Sequence, residues 1–309
     1  MSTRGFMTIA FGKERYIDMA LSLGRSLKLN SPNIKRAVVT DSKSVALKKI
    51  YDFIIPLNHD YGKNVEQKLH IDKYSPFEET LFIDSDCLVF RDLEFAFDLF
   101  KGSKAIAIGT EFFFPNDTCV FADIKEVTQN LGIIKIPRFN GGVYYISKSS
   151  IQQNILIKAR SFISNYKTVG FYSFRNQGPA DELLIGASIE LLGHGNISDN
   201  GLLMRTPIGI VGDLVVDAFK GYSKFNKSGH NVEPAIIHFA GNLVNLPEYK
   251  REIRKLDIYY ESVFLKEIKV ILYHKYFNLY QTLRIKREYL WSKTPRLLRL
   301  VYHGLKSRI

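Results

Sequence analysis

A chain of 309 residues, 46% apolar and 24% charged, is long enough for one large α/β domain with an appendage, and its composition excludes a disordered polymer. No run of 18 apolar residues occurs, which argues against a spanning helix, and two cysteines are too few for a disulfide framework or a zinc site. The net charge of +12 is uneven: residues 250–309 hold 15 Lys and Arg against 5 Asp and Glu, a surplus that suits nucleic acid, an anionic membrane surface or plain solubility.

Residues 1–12 show no long apolar core and no small-residue cleavage pattern, so no signal peptide is expected and the free thiols Cys87 and Cys119 point to a cytoplasmic chain. Residues 6–10 read as a first buried strand ending near Gly12. Residues 15–29 carry Ile17, Ala20, Leu21 and Leu27 at helical spacing and stop at Asn30-Ser31-Pro32. Strands are expected at 37–40 and 53–55, with Asp41-Ser42 between them as a helix cap, and a short helix over 66–74 before Ser75-Pro76. The apolar run 80–83 leads into Asp84-Ser85-Asp86, and 88–90 is again extended. Further strands are expected at 104–108, 142–146 and 235–237, and helices at 123–131, 149–166 and 181–192. Short strands alternating with helical patterns predict a mostly parallel sheet covered by helices. The shift in composition near Pro247 divides the chain into 1–247 and a basic, aromatic-rich helical extension at 248–309.

Asp84 and Asp86 follow an apolar strand, a costly place for carboxylates unless something cationic meets them. In extended backbone, residues i and i+2 point the same way, so both could face one ligand. Hard oxygen donors so arranged suit Mg²⁺ or Mn²⁺, which share their shell with substrate phosphates. The end of a strand in an open α/β sheet is where ligands bind. A solvated turn is the competing reading. No Walker-type loop or Gly-x-Gly-x-x-Gly follows the first strand, and no nucleophile elbow occurs. Cys87 reads as a small buried filler.

The ordered set Gln67-Lys68-Leu69, residues 76–93 around Asp84-Ser85-Asp86, Arg138-Phe139-Asn140-Gly141-Gly142, Ala180-Asp181-Glu182 and His238-Phe239-Ala240-Gly241 resembles the retaining glycosyltransferases of family 8, the group of glycogenin and bacterial lipopolysaccharide galactosyltransferases. The resemblance spans residues 5–242. It implies a GT-A fold and transfer of a hexose, with retention, from a nucleotide-sugar such as a UDP-sugar to a glycan or lipid-linked acceptor. It further implies that Asp84, Asp86 and His238 hold Mn²⁺ or Mg²⁺, and that Lys68, Ser85, Gly141, Gly142 and Gly241 meet the donor. Asn140 would approach the sugar, Asp181 or Glu182 would stabilise the sugar cation, and Ala10, Phe11, Gly12 and Tyr16 would line the nucleoside. The chain departs from the family's pattern in two places. Asn242 to Asn245 replaces a Lys-Pro-Trp segment, leaving Lys224, Lys227 or Lys250 to supply the missing cation, and an Asp-Gln-Asp pattern is absent.

Two other functions compete: a sugar nucleotidyltransferase, which residues 10–14 do not resemble, and a catalytically inert sugar- or membrane-binding module. In the extension, Tyr259, Tyr260, Phe264, Tyr273, Tyr276, Phe277, Tyr280, Tyr289, Trp291 and Tyr302 interleave with Lys and Arg. That pattern suits an anionic membrane surface and predicts peripheral attachment to the inner membrane face, with no nucleic acid as partner. A solvated helical subdomain is the plainer alternative.

Overall fold

The structure, a computed structural model, describes residues 3–148, 150–173 and 178–293. In chain order it begins β1 (Arg4–Ile9), α1 (Glu14–Asn30), β2 (Lys35–Thr40), α2 (Val45–Ile50) and β3 (Phe53–Pro56). A 3₁₀ helix (Asn64–His70) runs into α3 (Ile71–Tyr74), then β4 (Glu79–Ile83), β5 (Cys87–Val89) and α4 (Glu94–Phe100). There follow β6 (Glu111–Phe113), α5 (Ile124–Leu131), β7 (Ile136–Arg138), β8 (Val143–Ser147), α6 (Ser150–Ser161), α7 (Tyr166–Val169) and α8 (Asp181–Leu191). The chain continues through β9 (Met204–Arg205), β10 (Ile210–Asp217), β11 (Tyr222–Lys227), β12 (His230–Val232) and β13 (Ile236–His238) to α9 (Pro247–Glu261) and α10 (Lys266–Lys293).

The architecture is α/β, built on a mixed, mostly parallel sheet of order β3-β2-β1-β4-β8 in which only β8 runs antiparallel. Successive side chains of a strand face opposite sides, and two cores result. Phe6, Leu81, Ile83, Val143 and Tyr145 pack with Leu23 and Leu27 of α1 and Phe97 of α4. Met7, Phe82, Tyr144 and Ile146 pack on the other side with Ile155 and Leu156 of α6 and Leu184 of α8. Helix α1 buries Ala20, Leu23 and Leu27, the i, i+3, i+7 stripe that its sequence shows. Helix α5 is set at both ends by its sequence: Asp123 accepts from Glu126 N, and Gly132 takes the left-handed conformation after the last turn.

Several expected elements differ. Residues 104–108 form only an isolated bridge, Ile108 to Ile197, although Ile106 O and Ala107 O still accept backbone bonds from Tyr145 N and Ile197 N. The stretch 66–74 is largely 3₁₀. Helix α6 ends at Ser161 rather than 166, and Ser149 lies outside the described residues. Asp41-Ser42 does not cap α2, whose N-cap is Ser44. Instead the Asp41 carboxylate accepts from Gly12 N at 3.2 Å, and Ser42 Oγ accepts from Ser44 N. An antiparallel sheet β10-β11-β12 was not expected. Ser228 and Gly229 close its second hairpin, both with positive φ, as a two-residue I′ turn requires.

The chain forms two compact units, residues 1–249 and 250–309. In the second, Glu252 is fully buried and is met by Arg251 Nε at 2.8 Å and Lys255 Nζ at 3.0 Å. Helix α10 exposes Ile271, Leu272, Tyr276, Leu279, Tyr280, Leu283, Ile285 and Tyr289. Among the described residues no helix is long and apolar enough to cross a membrane. Tyr302 lies outside the described residues.

Candidate active site

Strand β4 delivers Asp84 from the middle of the main sheet, and β13 delivers His238. The two meet because β5, which follows the acidic turn, pairs antiparallel with β13 and sets His238 opposite Cys87. Asp84 and Asp86 do not lie in extended backbone as the i, i+2 argument assumed. They occupy a tight turn in which Cys87 N donates to Asp84 O at 3.0 Å. Both nonetheless face one ring nitrogen: His238 Nε2 is 3.1 Å from Asp86 Oδ1 and 3.8 Å from Asp84 Oδ2.

Lys68 comes from the 3₁₀ helix Asn64–His70. Its Nζ donates to Asp84 Oδ2 at 2.6 Å and lies 3.6 Å from Asp181 Oδ2. The helix that aims it is fixed by Gln67, fully buried, whose amide donates to Asn58 O and Gly62 O and accepts from the Tyr74 hydroxyl. Asp181 and Glu182 open α8, where the helix dipole favours carboxylates. Asp181 accepts from the Tyr144 hydroxyl at 2.7 Å, and Glu182 Oε1 accepts from Gly141 N at 2.6 Å. Asn140 Oδ1 accepts from Gly142 N at 3.0 Å. Thus Asn140, Gly141, Gly142, Lys68, Asp84, Asp86, Asp181, Glu182 and His238 share one cluster.

The glycines there make room for the site's own side chains. A methyl group on Gly142 would come within 2.6 Å of His238 Nδ1, and one on Gly141 within 2.5 Å of the Tyr144 hydroxyl and 2.9 Å of Asp181 Oδ2. Tyr144 escaped the sequence reading, since a Tyr-Tyr pair in a strand reads as core.

Burial and the facing charges set the protonation balance. Burial pushes Asp84 up, and Lys68 only partly offsets it. Asp86 is pushed up by burial too, but the facing His238 ring and the Lys68 charge together outweigh that and leave it below the ordinary carboxylate range. For His238, burial disfavours the charged ring, yet Asp86 and then Asp84 raise it overall. Glu182 is raised to about 7, first by burial and then by Asp181. Burial lowers Lys68, but Asp181 and Asp84 overcome this and hold it charged.

The donor set fits a hard divalent cation. Asp86, Cys87 and His238 offer ligand atoms within 4.8 Å of one another. Cys87 is the poor member: its thiol is fully buried, burial with Asp86 and Asp84 keeps it protonated, and Sγ donates toward Gly142 O. Asp84, whose Oδ2 lies 3.8 Å from His238 Nε2, offers a harder donor atom beside them.

A cavity of about 440 Å³ opens beyond β1 and β2, lined by Gly12, Glu14, Ile17, Asp18, Asp41, Ser42 and Ser44. Of the residues expected to line a nucleoside, only Gly12 belongs to it. Ala10 is buried and donates from its N to Val39 O, Phe11 is half-buried, and Tyr16 OH accepts from Arg15. Ser85 is half-buried in the acidic turn, and Gly241 is exposed with φ 62° at a 3₁₀ start. Lys224 pairs with Glu233 at 3.4 Å, and Lys227 donates to Thr206 O at 2.9 Å. Neither pairs with the carboxylate cluster, and Lys250 belongs to the second unit. Among the described residues the lysine that meets the carboxylates is Lys68.

No protein-family model and no curated protein matches the sequence. Among solved structures the chain is similar to the galactosyltransferase LgtC in complex with donor and acceptor sugar analogs, at 16% identity over 77% of this chain and 87% of that one, with a TM-score of 0.48. It is also similar to the bifunctional glycosyltransferase WbbM, at 14% identity over 82% and 52%, TM-score 0.49. Mouse xyloside xylosyltransferase 1 is a third, at 13% identity over 78% and 98%, TM-score 0.45.

Proposed function

We propose that the chain is a metal-dependent glycosyltransferase moving a hexose, with retention, from a UDP-sugar to a glycan or lipid-linked acceptor. The observation that carries this reading is the convergence of Asp84, Asp86 and His238 on one point at the end of a central strand, with Lys68 beside them. Asp84, Asp86 and His238 would hold Mn²⁺ or Mg²⁺, which when bound supplies Lewis-acid stabilisation to a departing diphosphate. Lys68, fixed by Gln67 and Tyr74, adds a preorganised positive charge to the same place. The carboxylates lining the 440 Å³ cavity are acceptors suited to ribose hydroxyls and a base N–H, not to phosphate. On this reading the nucleoside would lie there and the diphosphate toward Lys68.

Glu182 is the group best placed to act on the sugar. Its Oε1 is tied to Gly141 N, and a carboxyl near neutrality can be anionic when positive charge develops on the sugar carbon. Asp181 supports it, oriented by Tyr144 and Lys68.

The experiment is UDP-sugar hydrolysis and transfer with and without Mn²⁺, with the anomeric configuration of the product read by NMR. No Mn²⁺-stimulated turnover with any UDP-hexose would sink the reading. A pH dependence accompanies it. His238 must shed its proton to ligate, and its pKa is raised. Mn²⁺-dependent UDP binding should therefore be full at high pH and fall as pH drops, beginning above the ordinary histidine value of about 6.5. In calorimetry, His238→Ala should bind weakly at every pH. A His238→Ala protein that kept the wild-type profile would remove the ring from the site.

Peripheral membrane attachment belongs to the same proposal. Helix α10 exposes apolar and aromatic side chains between basic ones, and each Lys or Arg near an anionic surface adds on the order of 1 kcal/mol, screened by salt. Full-length protein should sediment with vesicles containing phosphatidylserine at low salt and be partly released at high salt. Equal sedimentation with neutral and anionic vesicles, or none with either, would leave α10 a structural helix only.

A further inference from the structure

The amide of Asn140 serves the histidine. Its Oδ1 lies 3.0 Å from Gly142 N and 2.7 Å from His238 Nδ1. A backbone N–H can only donate, so the amide atom that faces it must be the oxygen, and no choice between amide O and N remains. The same oxygen can only accept, so Nδ1 of His238 carries the hydrogen. The other ring nitrogen, Nε2, faces Asp86 Oδ1 and Asp84 Oδ2. The ring lies against the bare backbone of Gly142, where a methyl group would meet both Nδ1 and the ring carbon Cγ within 3 Å. Asn140 and Gly142 therefore fix both the tautomer and the plane of the ring.

We propose that Asn140 is a positioning residue that commits Nδ1 of His238 to donation, leaving the Nε2 lone pair for a divalent cation held with Asp84 and Asp86. The inference rests on the cation reading of the cluster. It is independent of what sugar is moved. Without the Asn140 oxygen, the neutral ring is free to place its hydrogen on Nε2, against the acidic pair, and the ligand atom is then blocked.

The test is Mn²⁺ affinity of the full-length protein, read from the electron-paramagnetic signal of free Mn²⁺. Asn140→Ala should weaken binding about 10- to 100-fold, the usual loss when the partner of a ligating histidine is removed. Asn140→Asp, whose carboxylate still accepts from Nδ1–H, should stay near wild type. In a His238→Ala background, Asn140→Ala should change nothing further. Equal losses in both backgrounds, or no loss in the single variant, would overturn the inference while leaving the cation reading standing. Wild-type protein that does not bind Mn²⁺ would overturn both. A measurement without substitutions guards against misfolded variants. In Mg²⁺-loaded wild type, the imidazole ¹⁵N shifts of His238 should show a protonated Nδ1 and an unprotonated Nε2, and the reverse pattern would refute the assignment.

Discussion

Replacing either Asp84 or Asp86 by asparagine is expected to lower turnover at least about a hundredfold while the fold survives. The two carboxylates sit within reach of one histidine nitrogen, and each amide keeps the shape and one acceptor oxygen of the group it replaces. What disappears is charge, in a half-buried turn where charge counts most. The two variants should differ in detail. Asp84→Asn also removes the charge that faces Lys68 at 2.6 Å and leaves it Asp181 as its anionic partner, whereas Asp86→Asn leaves Lys68 in place and removes the negative charge 3.1 Å from His238 Nε2. Steady-state donor hydrolysis checks the effect, alongside far-UV circular dichroism and an Mn²⁺ titration. Near-wild-type turnover that remained sensitive to EDTA would mean that the working metal is bound elsewhere.

Much of the frame is legible in the sequence because it is written in apolar runs. The segments ending at Ile9, Thr40 and Ile83 are strands for the reason the pattern gives, and Ala20 with Leu27 lies on the face that α1 buries, while Ile17 and Leu21 at the same helical spacing are half-buried. The sheet β10-β11-β12 is hidden for another reason: Gly212-Asp213 interrupts the apolar run of β10 where its register shifts between Val211 and Val215, β11 sets buried Ser223 and Phe225 among polar residues, and only the adjacent Ser228-Gly229 announces the turn. The site was legible as residue types in order, but not as geometry. The i, i+2 rule brought Asp84 and Asp86 together for the wrong reason, since it is the turn and the pairing of β5 with β13 that make them converge on His238. Long-range pairing is invisible in one chain. So is the direction of Tyr144, which the register of β8 turns toward Asp181 while Tyr145 on the opposite face meets Glu79.

Lys68→Met is expected to destabilise the protein by about 3–5 kcal/mol at neutral pH, the usual result of leaving buried charge uncompensated. Methionine keeps most of the stem's packing and removes only the ammonium. Lys68 is mostly buried, as are its partners Asp84 and Asp181, so solvent does little to replace it. The pH dependence follows from linkage. Burial already raises the folded-state pKa of Asp84 with Lys68 present, and removing the cation raises it further. A carboxyl with a raised folded pKa destabilises the fold above that pKa and ceases to do so once protonated. The gap between wild type and Lys68→Met should therefore be widest at neutral pH and narrow as pH falls through the raised pKa of Asp84. Urea unfolding across that range measures it. The double variant Lys68→Met with Asp84→Asn removes one of the stranded charges and should recover part of the loss. A gap independent of pH, unrelieved in the double variant, would assign Lys68 a packing role and return the search for the diphosphate's cation to the rest of the surface.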